Sequence, residues 1–467
     1  MHNKTNTTEP VEVVNPFDQT VIGTVPSVDW DDVDKYLDTA HGLAKFCGNL
    51  IPTYQRIEIL KKAALLMGER AEQLAFQIAN EGGKPLIDAR IEVARAIDGV
   101  GLCIKELSHL TGTEVPMDLT EAGAGRMAFT RREPIGVVVA VSAFNHPLNL
   151  IIHQVAPAIA VGCPVLVKPA ENTPLSCQAF VEILYEAGLP PEWCRMVVCK
   201  VEVTEKMVTD PRVAFFTFIG SARIGWMLRS KLAPGTRCAL EHGGVAPVIV
   251  DEGADLESMI PSLLKGGFYH SGQVCVSVQR IYAPQSSAAD LAQLLAEGAA
   301  KLTVGNAIEE TTECGPLIRP GEVDRVASWI DEASDAGAKI LTGGKKLGDT
   351  TYAPTVLLDA PVDAKISNME IFGPAVSVYG YDSLDGAIAQ ANSLAVAFQA
   401  SVFTPRLDNA MKAIQELDAT AVMVNDHTAF RVDWMPFAGR RESGYNTGGI
   451  GYTMHDMTQD KMAVIKL

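Results

Sequence analysis

Long apolar segments, clustered cysteines and an excess of basic residues are all missing from this sequence. No apolar stretch is long enough to cross a membrane, because glycine and proline interrupt the longest ones. The first eight residues are polar and lack the apolar core of a secretory signal. We therefore expect a cytoplasmic chain without a membrane segment.

The nine cysteines are scattered, and none belongs to a CxxC pair or to a Cys/His group with metal-ligand spacing. An odd number of cysteines in a chain of this length favours free thiols in a reducing compartment. We therefore expect no metal site and no framework of disulfides.

Basic residues are outnumbered, since 39 Lys and Arg face 56 Asp and Glu and leave a net charge of −17. Such an acidic surface argues against nucleic acid as the main partner. It does not exclude an acidic substrate, because a few arginines can form a local positive pocket. With 467 residues and 47% hydrophobic content, the chain is expected to form two or three globular domains.

Strand-like and helical patterns alternate along most of the chain. After three amphipathic helices, apolar runs alternate with helical segments from Gly136 to Leu240, and a second alternation follows Gly244. This order is typical of parallel, doubly wound sheets. We therefore predict an α/β fold whose two halves meet near Gly243. The predicted strands of the first half are 136–141, 164–167, 196–198, 213–216 and 238–240.

Two extended segments, 127–133 and 462–467, fit neither half of the predicted fold. Neither has an obvious partner strand, and unpaired strand edges are unfavourable. We expect both segments to pair across a subunit interface. A surface hairpin and a frayed tail are the alternative.

Cys275 stands in a loop of small and polar residues that leads into an apolar, β-branched run, which predicts a strand over 276–282. A free cysteine in such a loop is more often an inert small hydrophobe than a nucleophile. Upstream, Glu241 lies between an apolar strand and the pair Gly243-Gly244. Burial there raises the pKa of a carboxyl group and makes it a usable base near neutrality. The alternative for Glu241 is a purely structural carboxylate.

Three further patterns follow predicted strands, where ligands bind in open parallel sheets. Gly220-Ser221 turns from a strand into a helix and offers free N–H groups to a pyrophosphate. Lys168 and Glu171 can hold the two hydroxyls of an adenosine ribose. Asn145 can donate its side-chain amide to an oxyanion, or it can cap the helix that begins near Pro147. Each pattern by itself is also explained by ordinary turns and solvated loops.

In chain order, these residues resemble the motif series of the aldehyde dehydrogenase superfamily over nearly the whole sequence. The series comprises Asn145, Lys168, Gly220-Ser221, Glu241-His242-Gly243-Gly244, Gly272-Gln273-Val274-Cys275, Glu370-Ile371-Phe372-Gly373-Pro374 and Pro436-Phe437-Ala438-Gly439. Two positions depart from the common pattern: His242 and Val245 replace leucine and lysine after the acid, and Ala438 replaces a glycine.

The resemblance implies an aldehyde dehydrogenase fold, with a Rossmann-like cofactor domain, an α/β catalytic domain and a small β oligomerisation arm. The implied limits are residues 1–115 and 135–242 for the NAD-binding domain, 243–445 for the catalytic domain, and 116–134 and 455–467 for the arm. It also implies a homodimer or homotetramer.

The resemblance further implies the chemistry of the site. Cys275 attacks the aldehyde carbonyl, Asn145 and the Cys275 backbone N–H hold the oxyanion, and Glu241 activates the water that hydrolyses the thioester. Hydride passes to NAD, or to NADP; Glu171 favours NAD, since a carboxylate near the ribose repels a 2′-phosphate. Glu241 argues against the CoA-acylating members, which typically lack this base. The implied cofactor-binding residues are Lys168, Glu171, Gly220, Ser221, Gly243, Glu370 and Phe372.

Arg95, His146 and Arg431 are the candidate substrate-binding residues, and together they indicate a small anionic aldehyde. The stretch 425–435 and the pair Glu241-His242 most resemble family members for sulfonated or phosphonated aldehydes, with sulfolactaldehyde first. Phosphonoacetaldehyde, lactaldehyde, succinate semialdehyde and glyceraldehyde-3-phosphate are the alternatives. Some members for phosphorylated substrates have arginine at the position of Val274, so recognition here is left to the three candidates.

Two alternatives lie outside the dehydrogenases. An esterase would use Cys275 without the cofactor-binding residues. A binding protein descended from the family would be expected to have lost Cys275 or Glu241, and both are present.

Overall fold

The computed structural model describes residues 9–45 and 50–467. The predictions for residues 1–8 and for Cys47 therefore lie outside the described residues. The α-helices, α1 to α15 in chain order, are Trp30–Lys45, Thr53–Glu69, Ala71–Gly82, Leu86–Glu106, Asn149–Val161, Leu175–Glu186, Val201–Val208, Ala222–Arg229, Leu256–Phe268, Ala288–Ala299, Pro320–Asp335, Lys365–Asn368, Leu384–Ala391, Leu407–Glu416 and Ile450–Asp456. The strands, β1 to β20, are Val11–Val14, Val21–Val25, Glu114–Val115, Arg126–Pro134, Val137–Val141, Val165–Lys168, Cys194–Met196, Val213–Ile219, Arg237–Glu241, Ala246–Val250, Val278–Pro284, Lys339–Thr342, Thr355–Leu358, Ala375–Tyr381, Val396–Ala397, Gln399–Phe403, Ala421–Val424, Arg440–Arg441, Gly444–Tyr445 and Thr458–Lys466.

The first large sheet has the strand order β19-β9-β8-β5-β6-β7, and only the short edge strand β19 is antiparallel. Its five parallel strands are the five predicted ones, with ends shifted by three residues at most. In β5, Val138 and Ala140 pack into one apolar core, while Val139 and Val141 pack into the core on the other face. A strand covered on both faces has apolar residues at nearly every position, and this pattern allowed the strand to be predicted from the sequence.

The second large sheet has the order β12-β13-β14-β11-β10-β16-β17, and only its edge strand β12 is antiparallel. In β10, Val248 and Val250 face one core and Ile249 faces the other. The predicted α/β fold with parallel sheets is therefore confirmed.

The chain passes from the first sheet to the second in four residues, since β9 ends at Glu241 and β10 begins at Ala246. The carboxyl end of β9 thus lies at the junction between the two sheets. In open parallel sheets, ligands bind outside the carboxyl ends of the strands. The predicted acid Glu241 stands at this junction.

The two leftover segments pair with each other, and pairing of either segment across a subunit interface stays a prediction. Strand β20 pairs with β4 in an antiparallel ladder from Thr458–Pro134 to Lys466–Arg126, and β3 pairs with the other edge of β4. The sequence alone could not reveal this match, because strand pairing depends on tertiary position.

Two local predictions are corrected. Asn145 does not cap the next helix, which begins at Asn149; instead Glu92 accepts the N–H groups of Leu148 and Asn149, each at 3.0 Å. The strand expected to start directly after Cys275 begins at Val278, because the Ser277 N–H first closes a turn onto the Val274 carbonyl at 3.0 Å.

No helix in the described residues is both long and apolar enough to span a membrane. Within residues 9–45 and 50–467, no group of three or more His, Cys, Asp or Glu side chains is arranged to hold a metal ion.

Candidate active site

A cavity of about 410 Å³ lies at the junction of the two large sheets. Every predicted site residue lines it except Lys168 and Glu171. Residues far apart in the sequence therefore meet in one pocket. The predicted residues in its wall are Arg95, Asn145, His146, Gly220, Ser221, Glu241, Gly243, Cys275, Glu370, Phe372 and Arg431.

A strained loop presents Cys275 to this cavity. His270 and Ser271 have positive φ angles of 47° and 56°, a region that non-glycine residues rarely adopt. Hydrogen bonds hold the loop: Ser271 Oγ donates to the Gly315 carbonyl at 2.5 Å, and the Gly244 N–H donates to the Cys275 carbonyl at 3.1 Å. Of the eight described cysteines, Cys275 is the one that is not fully buried.

The thiol of Cys275 is neutral in this arrangement. Desolvation raises the pKa of the Cys275 thiol well above its usual value, and the nearby carboxyl groups of Glu241 and Glu370 raise it further. The guanidinium of Arg431 acts in the opposite direction. Formation of a thiolate therefore requires a change in the surrounding charges, such as the arrival of a cation or the loss of a carboxylate charge.

Asn145 is held against the cysteine loop. Its side-chain Nδ2 donates a hydrogen bond to the Gln273 carbonyl at 3.0 Å. The segment behind Asn145 is anchored by Glu92, which accepts the first N–H groups of α5 and forms a fully buried ion pair with Lys84. The amide carries two N–H donors, so one remains for a ligand in the cavity.

Glu241 faces the cavity from the end of β9. Desolvation raises the pKa of its carboxyl group to about 7, while Arg431 acts to lower it. A carboxyl group with this pKa exchanges protons close to neutral pH, which is the property that a general base needs.

One end of the cavity has the features of a cofactor site. A Cβ atom at Gly243 would lie 1.8 Å from Glu370 Oε1, so only glycine allows this carboxyl group its position. Glu370 Oε1 is buried without a hydrogen-bond partner, and desolvation raises the pKa of the group to about 8. Ser221 precedes α8, and its hydroxyl makes no capping bond to that helix. These unsatisfied polar groups fit a ribose and a pyrophosphate.

Lys168 and Glu171 lie beside the cavity and do not line it. Lys168 ends β6, and its Nζ is 3.8 Å from Glu171 Oε1. Between them, Ala170 contributes to the cavity wall. Their position at a strand end next to the cofactor end agrees with the place expected for an adenosine ribose.

His242, one of the departures from the common motif, fastens the Gly220 turn to β9. Its Nδ1–H donates to the Gly220 carbonyl at 2.8 Å, and the Gly220 N–H donates to the Glu241 carbonyl at 3.0 Å. The imidazole packs against Gly225, where an added Cβ would lie 2.1 Å from His242 Cε1. Both polar groups of the Gly220 backbone are therefore tied to the dipeptide that contains the candidate base.

We expect His242→Leu to raise KM for NAD(P) roughly fivefold to tenfold, which is the value of one hydrogen bond. The kcat should change less than threefold, because Glu241 keeps its own backbone contacts. His242→Asn, which retains a donor, should restore most of the affinity. Steady-state kinetics with varied cofactor measures both parameters, and a loss in kcat at constant KM would contradict this positioning role.

The other end of the cavity contains Arg431. Its Cζ lies 3.6 Å from the centroid of the Phe437 ring, and its Nε is buried without a hydrogen-bond partner. In the part of the chain that the structure describes, no carboxylate lies within ion-pair distance of Arg431, although Glu241 and Asp433 attract it from further away. A cation held on an aromatic face and lacking a carboxylate partner is available to an anionic ligand.

The other two substrate candidates differ from Arg431. Arg95 forms a two-pronged ion pair with Asp433, with its Nε 3.0 Å from Oδ2 and its Nη2 2.8 Å from Oδ1. His146 is hydrogen-bonded to the Tyr269 hydroxyl at 3.2 Å. Desolvation and the nearby Lys84 and Arg95 lower the pKa of His146 well below its usual value, so it is neutral. Of the three predicted substrate-binding residues, only Arg431 is thus a cation that is available to a ligand.

Sequence reasoning missed four polar residues near this end: Asn149 and Tyr269 line the cavity, and Asp433 and His153 are hydrogen-bonded to each other behind Asn149. Asp433 belongs to the stretch 425–435, whose resemblance to members for sulfonated or phosphonated aldehydes is given above, but its partner Arg95 is 338 positions away in the sequence. No local pattern links residues so distant.

The chain matches the model of the aldehyde dehydrogenase family over residues 2–463. It is 38% identical over 462 residues to the 3-sulfolactaldehyde dehydrogenase of Priestia aryabhattai, covering 99% of this chain and 96% of that protein. The structure of aldehyde dehydrogenase 21 from Physcomitrella patens, in complex with its reaction product succinate, superposes with a TM-score of 0.94 at 34% identity, covering 99% of this chain and 96% of that one. The glyceraldehyde-3-phosphate dehydrogenase of Methanocaldococcus jannaschii, complexed with NADP, gives 0.93 at 32% identity, covering 98% and 100%.

Proposed function

The chain belongs to the aldehyde dehydrogenase family, and we propose that it oxidises a small anionic aldehyde to the carboxylic acid. The first candidate is 3-sulfolactaldehyde. Oxidation of an aldehyde with NAD(P) follows from the family; the identity of the aldehyde is our proposal. The similarity to a 3-sulfolactaldehyde dehydrogenase over almost the full length supports this choice.

The observation that carries the proposal is Arg431. Arg431 stacks on Phe437, its Nε is buried without a hydrogen-bond partner, and it has no ion-pair partner in the described residues, which is unfavourable until an anion joins it. It lies close enough to Cys275 and Glu241 to affect the pKa of both. An aldehyde with an acidic group a few bonds from its carbonyl would reach both Arg431 and the thiol.

We propose that Cys275 is the nucleophile and that Asn145 stabilises the oxyanion. The Cys275 thiol would release its proton to water, and Sγ would then attack the carbonyl carbon. The resulting oxyanion would accept hydrogen bonds from Asn145 Nδ2 and from the Cys275 backbone N–H. Asn145 keeps one amide hydrogen on the Gln273 carbonyl, which orients the other toward the cavity. The strained loop before Cys275 holds the sulfur in the position for attack.

When bound, NAD(P) supplies the acceptor for the hydride that leaves the aldehyde carbon. Ser221 and the Gly220 turn would hold the pyrophosphate, and the unsatisfied Glu370 carboxyl would accept a ribose hydroxyl. Phe372 would pack on the nicotinamide ring. Its own ring meets that of Phe144 edge to face, with 5.8 Å between the two ring centroids. We further propose that Lys168 and Glu171 bind the adenosine ribose, with a preference for NAD because Glu171 repels a 2′-phosphate.

Loss of the hydride leaves an acyl group on Cys275, and we propose that Glu241 removes a proton from the water that hydrolyses it. With a pKa of about 7, the group is partly ionised at neutral pH and can accept that proton. The carboxylic acid then leaves, and the Cys275 thiol is regenerated.

The sheet of β3, β4 and β20 is proposed to serve as the oligomerisation arm of a homodimer or homotetramer. Exposed apolar side chains lie on it, including Met127 and Phe129 on β4 and Met462 and Val464 on β20. An exposed apolar sheet favours burial against another surface.

Arg431→Met tests the proposed recognition of the anion. We expect kcat/KM for 3-sulfolactaldehyde to fall about 100-fold, because charge-assisted hydrogen bonds to the acidic group are lost. For a neutral aldehyde of similar size, kcat/KM should change less than threefold. The measurement is NAD(P)H absorbance over a panel of sulfonated, phosphonated, carboxylated and neutral aldehydes.

Arg431→Lys is the matched control, since it keeps the charge and should retain activity between the wild type and the methionine variant. Equal losses for charged and neutral aldehydes would assign Arg431 to structure. If the wild type oxidises neutral aldehydes as fast as the anionic ones, the proposed substrate class is wrong.

A further inference from the structure

We propose that Asp433 determines which anions the enzyme accepts, by leaving the substrate end of the cavity with a single uncompensated positive charge. The geometry points to selection of aldehydes with a singly charged acidic group, a sulfonate or carboxylate, over those with a doubly charged phosphonate or phosphate. This inference rests on the proposed function, because it refines the recognition assigned to Arg431.

Asp433 is buried at 3% exposure and collects four hydrogen bonds. Two come from Arg95, one from Asn149 Nδ2 at 3.1 Å and one from His153 Nε2 at 2.8 Å. These partners lie on α4 and α5, so the carboxylate is bound to the wall of the cavity on both helices. The hydrogen bonds hold the pKa of Asp433 well below its usual range, and the group is ionised.

The charges at this end of the cavity can therefore be assigned one by one. The positive charge of Arg95 is compensated by Asp433. His153 is neutral because desolvation lowers its pKa to about 4, and His146 and Tyr269 are neutral as well. Lys84 is compensated by Glu92. Arg431 remains as the cation without an ion-pair partner among the described residues. Glu241 and Asp433 attract its guanidinium from beyond ion-pair distance, and ionisation of Glu241 near neutral pH reduces the net positive charge.

A single free guanidinium balances one negative charge. A sulfonate or a carboxylate carries one charge at neutral pH, whereas a phosphonate loses its second proton near neutrality. The second charge of the dianion would lie in a desolvated pocket without a counter-ion and close to Glu241, which is unfavourable. The pocket thus distinguishes tetrahedral acidic groups of nearly the same shape by their charge.

The test compares sulfoacetaldehyde with phosphonoacetaldehyde, which differ only in the acidic group. In the wild type at pH 8, we expect kcat/KM for the sulfonate to exceed that for the phosphonate by at least tenfold. Asp433→Asn keeps the size of the side chain and the acceptor oxygen that meets Asn149 and His153, but it removes the acceptor for Arg95 Nε and frees the charge of Arg95. It should reduce the ratio of the two values at least tenfold. An unchanged ratio in a folded variant would overturn the proposal.

A second measurement needs no variant. It is the ratio of kcat/KM for the phosphonate to kcat/KM for the sulfonate, followed from pH 6 to pH 8.5. Titrations of enzyme groups that affect both substrates equally drop out of this ratio. It should fall as the phosphonate loses its second proton, and a flat or rising ratio would contradict selection by charge.

The two proposals fail in different ways. If a neutral aldehyde is turned over as well as both acidic ones, the anion recognition at Arg431 is wrong. If kcat/KM is the same for the two acidic aldehydes and higher than for the neutral one, the proposed role of Arg431 stands and only that of Asp433 is wrong.

Discussion

Replacement of Cys275 by serine is expected to reduce NAD(P)H formation by at least about 10⁴-fold, the largest effect of any single substitution in this chain. A serine hydroxyl has a much higher pKa than a thiol, and the neighbouring carboxyl groups of Glu241 and Glu370 disfavour an anion at this position further. Serine at residue 275 therefore cannot attack the carbonyl, and the cofactor site should still bind NAD(P) normally.

Two measurements separate this outcome from a folding defect. Cofactor binding followed by fluorescence should be unchanged in Cys275→Ser, and the melting temperature should lie close to that of the wild type. Cys238→Ser is the matched control, because Cys238 lies on β9 outside the cavity and should retain full activity. Substantial NAD(P)H formation by Cys275→Ser would exclude Cys275 as the nucleophile.

Replacement of Glu241 by glutamine is expected to stop the enzyme after one turnover. Hydride loss from the aldehyde does not need the base, so a burst of one NAD(P)H per active site should appear. The steady-state rate that follows should be about 10²–10⁴-fold below that of the wild type, because water is no longer activated. Mass spectrometry of the protein after the burst should find the acyl group on Cys275.

An added thiol or hydroxylamine provides the control, because these nucleophiles attack a thioester without a general base and should restore turnover in Glu241→Gln. If the steady state of Glu241→Gln is equally slow but no burst appears, Glu241 acts in a step before the thioester forms, which would contradict its role in hydrolysis.

The pKa of Glu241 predicts the pH dependence of the wild-type steady state. The raised pKa means that the carboxylate, which is the active base, is present above about pH 7 and is lost as the pH falls below it. The rate of acyl-enzyme hydrolysis should therefore decrease tenfold per pH unit below this value. In Glu241→Gln the slope should disappear from the residual rate, and persistence of the same slope would assign the titration to another group.

Much of the fold could be predicted from the sequence, because parallel strands buried on both faces are continuous apolar runs. Val137–Val141 is an example in which every residue is buried. The terminal strand β20 was predicted as a strand, but its partner was not, because seven of its nine residues are exposed and the complementary strand β4 precedes it by more than 300 positions. The predicted domain limits stay a prediction, although the chain does change sheets between Glu241 and Ala246.

The candidate site divides in the same way. The motif series led to the aldehyde dehydrogenase family, and the family model and the structural relatives, one of them complexed with NADP, confirm the family and its NAD(P) cofactor. The residues in those motifs do converge on one cavity, while their individual roles stay predictions for the experiments above. The substrate end was predicted less well, because the charge available there depends on which cations are already paired.

By itself, the sequence determined the class of fold, the family and the set of residues around the thiol. Each of these depends on apolar runs and short motifs that are local in the sequence. The tertiary structure decided the rest: that β4 and β20 pair with each other, that Glu92 rather than Asn145 caps α5, and that Arg431 is the free cation among the three candidates. The physical reason is that pairing and burial set the electrostatics of a pocket. The partners concerned, such as Arg95 and Asp433, are brought together only by folding.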